Sequence, residues 1–414
     1  MEFNNLLVKY IKPLSHYFSA SLIPMLLQLA INPLIAMNMS PEDYAITGYY
    51  TSFNTLISPL IIFYMLHYYN KRFYELDEQA RYMLKALIFK SILSFSFLIS
   101  IFCFIVLYCY TNWFGGENQF AIMPYLFYTV FAIPLTGLLN LELSDCRMRR
   151  NSKRFFSLSV VSGILLLCFN LFFVVIFKGG AKGKVLAPFI ANMIMFVFLL
   201  YKHRAFLKVS VTWPEFTKLF KFCYPLALGA MLGYFFNGFD KTYLERIGDI
   251  NEYGYYIVGS SIAAYLGTFA AAVTSTFQPD IYEAISKQNR LMLYRSIFLQ
   301  LGLIAGVVLV FIIACPLVIK ILTASMYMES TIYARIISIS TLTSSAYYVL
   351  NNYSIAVGRP KLYLYTTIIG SALIALILPM VADKFTYVGC ACMVPVSYVM
   401  LLGINLILLK FKKI

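Results

Sequence analysis

The chain has 414 residues, 61% of them hydrophobic and only 12% charged, with a mean hydropathy of +0.76. A soluble globular domain carries about 25% charged residues because its surface must face water, so this composition excludes one and points to lipid. The formal net charge of +15 would signal nucleic acid in a soluble protein; here its placement along the chain accounts for most of it, and no nucleic-acid partner is expected.

Unbroken apolar runs such as 91–108 and 301–319 are too long for the alternating strands of a β-barrel. A helix needs about 20 apolar residues to cross a bilayer. On that measure spans are expected at 15–37, 44–66, 83–109, 119–141, 155–177, 185–201, 222–244, 254–278, 296–320, 331–356, 362–382 and 386–409. The expected fold is therefore an all-α integral membrane protein of roughly twelve transmembrane helices. The segment before the first span carries Lys9 and Lys12 without a small-residue cleavage site, and reads as a cytoplasmic lead-in rather than a removable signal.

The connections alternate in character. One set is basic: Lys71, Arg72 and Arg81, then Arg147, Arg149, Arg150, Lys153 and Arg154, then the stretch from Lys202 to Lys221. It continues with Lys287, Arg290 and Arg295, then Arg359 and Lys361, and ends at Lys410, Lys412 and Lys413. The other set, at 38–43, 111–118, 178–184, 245–253, 323–329 and 383–386, is short and poor in Lys and Arg. The positive-inside rule makes the basic side cytoplasmic, with both termini inside and an even number of spans.

The two halves share local patterns. Glu42-Asp43-Tyr44-Ala45 follows the first span and Asn251-Glu252-Tyr253-Gly254 follows the seventh; nearly the same offset relates 79–84 to 288–293, and Pro188 to Pro395. Two parallel six-helix bundles, 1–210 and 211–414, are expected around a central cavity, the arrangement of transporters that rock two halves about a shared site.

No catalytic signature is present. The glycines of Gly179-Gly180-Ala181-Lys182-Gly183-Lys184 are mis-spaced for a phosphate loop, and Val185 replaces the required Ser or Thr. His16, His67 and His203 are scattered, the eight cysteines lack metal-ligand spacing, and no loop has room for an extramembrane catalytic domain. Neither a metal nor a cofactor is expected, and the protein is not expected to be an enzyme. Ionisable groups within spans are more informative, because a charge at a helix centre costs about 2.5–3.5 kcal/mol on insertion scales and needs a partner or a wet cavity. The candidates are Lys90, Glu142, the adjacent pair Asp240 and Lys241, and Arg335, with Asn32 at the repeat position of Lys241. Each has an ordinary alternative: Lys90 snorkelling to the cytoplasmic face, Glu142 and Arg335 at span ends, and Asp240–Lys241 as a helix-end pair.

Several stretches resemble the polysaccharide flippases of the Wzx type, in the superfamily that also holds MATE multidrug exporters and the lipid II flippase. They are Asn32-Pro33-Leu34-Ile35-Ala36 with Ser40-Pro41-Glu42-Asp43-Tyr44, His67-Tyr68-Tyr69, and Phe239-Asp240-Lys241-Thr242-Tyr243-Leu244 with Asn251-Glu252-Tyr253-Gly254-Tyr255-Tyr256. Pro279-Asp280-Ile281-Tyr282-Glu283, Asn351-Asn352-Tyr353 and Gly358-Arg359-Pro360-Lys361 continue the likeness, which runs over nearly the whole chain. Two departures stand out. The family's usual Arg in the acid–base pair is Lys241, which keeps the charge but loses bidentate phosphate geometry. Span eleven reads Ala372-Leu373-Ile374-Ala375-Leu376 where an Asn-rich segment is common.

The resemblance implies a MATE-like fold and a flippase carrying undecaprenyl-diphosphate-linked oligosaccharide across the inner membrane for O-antigen or other surface polysaccharide. Its implied partners are that substrate, membrane lipid, and a polysaccharide polymerase with a chain-length regulator. The rivals are a MATE-type cation exporter, which would favour acids in spans one and seven, and a polymerase or ligase of lipid-linked sugars, which would need a substantial periplasmic loop.

Overall fold

A computed structural model describes residues 24–114, 120–286, 289–356 and 361–411. His16, Lys9, Lys12 and Gly358-Arg359-Pro360 lie outside them. The described residues are helical, with no strand among them.

The helices begin where side chains can take up free backbone N–H groups. After α1 (Pro24–Ala36), Ser40 caps α2 (Pro41–Ile62): Asp43 Oδ2 accepts from the Ser40 N–H and hydroxyl, while Ser40 Oγ accepts from the Asp43 N–H. This is a reciprocal capping box with Asp in place of Glu. Positive φ at Phe63 and Tyr64 ends α2 and redirects the chain into α3 (Met65–Phe73). Asp77 accepts from the Ala80 N–H to start α4 (Glu78–Ser91), and a π-helical turn at Ile92–Ser96 leads into α5 (Phe97–Phe114). There follow α6 (Tyr125–Met148), α7 (Ser152–Asn170) with a second π-helical stretch at Leu171–Ile176, and α8 (Gly180–Lys202). The glycine-rich segment that resembles a phosphate loop begins α8: a Cβ on Gly183 would stand 2.6 Å from the Phe173 carbonyl oxygen, so its glycine serves close backbone approach.

A short 3₁₀ segment, Arg204–Lys208, precedes α9 (Trp213–Met231). The expected seventh span is not one continuous helix. It is interrupted at Leu232–Gly233 and again at Gly238, leaving the short α10 (Tyr234–Asn237) and α11 (Phe239–Leu244). Then come α12 (Ile250–Ser286), α13 (Arg290–Leu322), α14 (Ser330–Ala356) and α15 (Lys361–Phe411), the last bent at Thr386 where φ is 49° and ψ −138°. The paired sequence patterns fall near helix starts: 42–45 and 251–254 open α2 and α12, and 79–84 and the described part of 288–293 lie at the starts of α4 and α13, which Asp77 and Asn289 cap.

The chain folds as two compact units. Unit 1 holds the described residues of 24–39, 54–114 and 120–231; unit 2 holds 40–53 and the described residues from 232 onward. Helix α2 thus gives its first part to unit 2 and its remainder to unit 1, and the break after Met231 coincides with the unit boundary. In unit 1 the core gathers Met65, Tyr69, Phe73, Leu87, Phe89, Leu138, Leu199 and Phe206. In unit 2 an apolar cluster of Leu266, Ala270, Ile304 and Val308 joins α12 to α13.

Large apolar side chains also face outward. Leu98 and Phe102 on α5, Val310 and Ile313 on α13, and Leu376 and Met380 on α15 are all more than half exposed. Water does not tolerate such continuous apolar surface, whereas lipid tails do. Seven helical segments among the described residues are long and apolar enough to cross a membrane: Glu78–Trp113, Tyr125–Met148, Ser152–Ile176, Gly180–Lys202, Trp213–Asn237, Arg290–Leu322 and Lys361–Lys410.

Candidate functional site

Within unit 2 the broken seventh span opens a cavity of about 250 Å³. Its wall comes from Asn237 on α10, Asp240 and Lys241 on α11, Ser260 and Gly267 on α12, Ser340, Thr341 and Ser344 on α14, and Tyr398 on α15. Discontinuous helices are how membrane transporters bring polar backbone and side chains to a buried site. Here the interruption turns Asn237, Asp240 and Lys241 toward one space.

Four tyrosines hold this arrangement. The buried Tyr256 hydroxyl donates to the Asp240 carboxylate, and the Tyr253 hydroxyl donates to the Lys241 carbonyl oxygen at 2.7 Å. Tyr398 donates to Asn237 Oδ1 at 2.8 Å, and Tyr333 donates to Glu252 in the first turn of α12. The Glu252-Tyr253-Gly254-Tyr255-Tyr256 stretch is therefore a brace for α11. Gly254 is part of it: a Cβ there would stand 2.2 Å from the Pro41 carbonyl oxygen, so only glycine lets α12 approach the start of α2 within this unit.

Asp240 and Lys241 are adjacent without pairing. No ion pair involves either one among the described residues, and Asp240 is 5% exposed with Tyr256 as its donor. The hydroxyls of Ser260 and Ser344 donate back to carbonyl oxygens three residues earlier on their own helices. Their oxygens remain able to accept from a guest. The wall thus offers acceptors, one cation and apolar surface between them, a combination suited to a polyhydroxylated guest with an anionic group.

The other candidates lie elsewhere. Glu142 belongs to unit 1, in a buried ionic cluster. Lys85 Nζ lies 2.7 Å from Glu142 Oε2 and 2.7 Å from Asp145 Oδ2. Arg154 also pairs with Glu142, His203 Nε2 lies 3.2 Å from Glu142 Oε2, Arg149 Nε lies 2.9 Å from Asp145 Oδ1, and Tyr69 donates to Asp145 Oδ1 at 2.5 Å. Helices α3, α4, α6, α7 and the end of α8 meet at these charges. Lys90, also in unit 1, is half-buried and donates to the Val209 carbonyl oxygen. Asn32 is half-buried on α1. Arg335 is exposed on α14, its Nε donating to the Ile312 carbonyl oxygen at 3.0 Å, and it does not line the cavity. Of the six sequence candidates, the structure gathers Asp240 and Lys241 into one cavity and disperses the rest. Lys85, Asp145, Asn237, Tyr398 and the hydroxyls of α14 were not singled out by sequence; Lys85 and Asp145 carried a signal as charges bordering apolar runs. No group of three or more His, Cys, Asp or Glu fit to hold a metal occurs among the described residues.

The helices, the outward apolar faces and the interrupted span define a multi-pass membrane protein with the fold of the MATE and lipid II flippase transporters. The chain is similar to the lipid II flippase MurJ in an inward closed conformation, with TM-score 0.74 and 16% identity over 94% of this chain and 86% of that one. An inward-facing multidrug resistance MATE family transporter of the MOP superfamily gives TM-score 0.73 and 13% identity over 95% and 99% of the two chains. A MOP superfamily transporter from Pyrococcus furiosus gives 0.65 and 14% over 95% and 94%. At these identities the likeness is one of fold. The chain belongs to the polysaccharide biosynthesis protein family, whose profile matches residues 79–333. No curated protein sequence matches it. Family and fold agree with the resemblance read from the motifs.

Proposed function

We propose that this protein is a flippase that moves undecaprenyl-diphosphate-linked oligosaccharide repeat units across the bacterial inner membrane, for O-antigen or another surface polysaccharide. The observation that carries this reading is the hydroxyl-rich, singly cationic cavity of unit 2. A diphosphate-sugar head group cannot cross hydrocarbon unaided, since each unsatisfied polar group costs several kcal/mol there. Ser260, Ser340, Thr341, Ser344, Asn237 and Tyr398 supply hydrogen-bond partners for sugar hydroxyls. Lys241 supplies a point charge for a phosphate, without the bidentate fit an Arg would give. Ligand pockets usually span about 300–1,000 Å³, and the cavity of about 250 Å³ therefore takes one part of the head group. Asp240 faces the same space and accepts a sugar hydroxyl or selects against a second anion.

In this reading, halves 1–210 and 211–414 act as two parallel six-helix bundles of a twelve-span protein, alternating access about a shared site with both termini in the cytoplasm. The polymerase and chain-length regulator that consume the product act on the far side. Lys241→Ala is expected to lower surface polysaccharide at least tenfold while membrane insertion is unchanged, with lipid-linked repeat units accumulating in the inner leaflet. Full complementation by that variant would remove Lys241 from the site. Normal surface glycan in a deletion strain, or drug sensitivity in its place, would favour a cation exporter.

A further inference from the structure

Unit 1 carries a groove of about 440 Å³ bounded by α4, the π-helical turn at Ile92–Ser96 and the start of α9. It is independent of the transport reading, because none of its residues lines the cavity of unit 2. Its floor is apolar, from Leu87, Phe95, Leu98 and Phe216, and Lys90 is the charged residue in its wall.

Lys90 is held in place rather than neutralised. Its ammonium donates to the Val209 carbonyl oxygen, and no carboxylate among the described residues is within ion-pair distance. An ammonium has three donors, so one backbone acceptor leaves it able to bind an anion. The depth of the site follows from α9. Glu215 Oε2 accepts from the Thr212 N–H and hydroxyl, both at 2.9 Å, so the membrane-crossing helix begins at Trp213. Trp213 is 76% exposed and stacked on Phe216 with ring centroids 5.4 Å apart. An exposed indole in the first turn of a span belongs at the head-group level of a bilayer. Lys90, bonded to the backbone just before that turn, shares its level. Leu98, 65% exposed, lies about 12 Å further along the helix at 1.5 Å per residue, toward the hydrocarbon.

The π-helical turn adds a separate observation. Such turns are rare and concentrate at functional sites, and this one places Ser94 and Phe95 in the groove wall. A fixed cation at head-group depth, an exposed indole beside it and an apolar channel running inward together match one chemistry. We propose that this groove binds an anionic phospholipid, with its phosphate on the Lys90 ammonium and an acyl chain along Phe95 and Leu98. The basic connections on the expected cytoplasmic side agree with this, since anionic leaflets attract Lys and Arg by about 1 kcal/mol each.

Native mass spectrometry of the full chain, delipidated in detergent and titrated with phosphatidylglycerol or phosphatidylcholine of matched chains, tests the proposal. The wild type is expected to retain phosphatidylglycerol in preference to phosphatidylcholine. Lys90→Gln should weaken that retention about fivefold, the factor for one lysine at an anionic surface, and Lys90→Arg should keep it. Trp213→Ala, at an exposed position that the fold does not need, should also weaken retention, and it decides the question if Lys90→Gln does not fold. Equal retention of both lipids by the wild type, unchanged retention in the variants, or displacement of the lipid by millimolar inorganic phosphate alone would overturn the proposal.

Discussion

Replacing Lys85 with methionine is expected to destabilise the protein by about 3–5 kcal/mol, the cost of leaving buried charge without its partner. Lys85 bridges two carboxylates, at 2.7 Å to Glu142 and 2.7 Å to Asp145, and the three side chains are 9%, 2% and 7% exposed. Methionine fills similar volume, so packing loss is a minor part of the effect. Of the remaining partners, Arg154 and His203 reach only Glu142, Arg149 divides itself between Asp145 and the exposed Glu78, and Tyr69 donates only to Asp145; none replaces a shared central ammonium. A marked fall in the thermal unfolding midpoint in detergent, and in yield, is the expected result. Adding Glu142→Gln and Asp145→Asn to Lys85→Met should recover much of it, because replacing every member of a buried ionic group avoids the orphaned charge. The exposed pair Arg72–Glu75 is the control: its side chains are 42% and 47% exposed, and removing it should cost about 1 kcal/mol or less. If Lys85→Met and Arg72→Met melt alike, the cluster does not hold unit 1 together.

The second large effect is steric. Gly254→Val should lower stability by about 1–3 kcal/mol or more, the range for overpacking a close-packed site. Its Cβ alone would stand 2.2 Å from the Pro41 carbonyl oxygen and 2.6 Å from the carbonyl carbon. Backbone on a capped helix start cannot give way as a flexible side chain can. Either α12 shifts, carrying Tyr253 and Tyr256 away from α11, or the first part of α2 leaves unit 2. Both outcomes loosen the cavity that contains Asp240 and Lys241. Gly267→Ala is the comparison, since a Cβ there meets nothing within 4 Å. Equal unfolding midpoints for Gly254→Val and Gly267→Ala would mean that the close approach is unimportant.

Much of the helical framework behind these effects is legible in the chain. The helix starts are local: Ser40 with Asp43, Asp77 before α4 and Asn289 before α13 each satisfy N–H groups within three residues. Capping chemistry of that range can be read from spacing. The apolar runs are equally local, and their outward faces on α5, α13 and α15 follow from the surplus of hydrophobic residues over any interior that could hold them. The pair Asp240–Lys241 was legible as charge inside a span. Its setting was not, because glycines at 233 and 238 mark weak points in the span without saying which side chains meet there.

The sequence by itself determined the class of protein, the order of its apolar segments, and the residues whose charge inside those segments demanded explanation. Composition, hydropathy and capping act over a few residues or a whole chain, and both scales are written in order along it. Only the tertiary structure decided which charges meet. Glu142 stood out alone, yet its partner Lys85 is 57 residues away and reads as one more lysine beside a basic connection, while Asp145 is hidden among arginines. Lys90, equally conspicuous, rests on the backbone of Val209, 119 residues on. The broken seventh span that opens on Asp240 and Lys241, the feature that bears most on function, has local weak points at Gly233 and Gly238, but its setting came from packing: α12 braces α11 through tyrosines whose roles no spacing rule records, because partner choice across helices is set by shape and desolvation rather than by sequence distance.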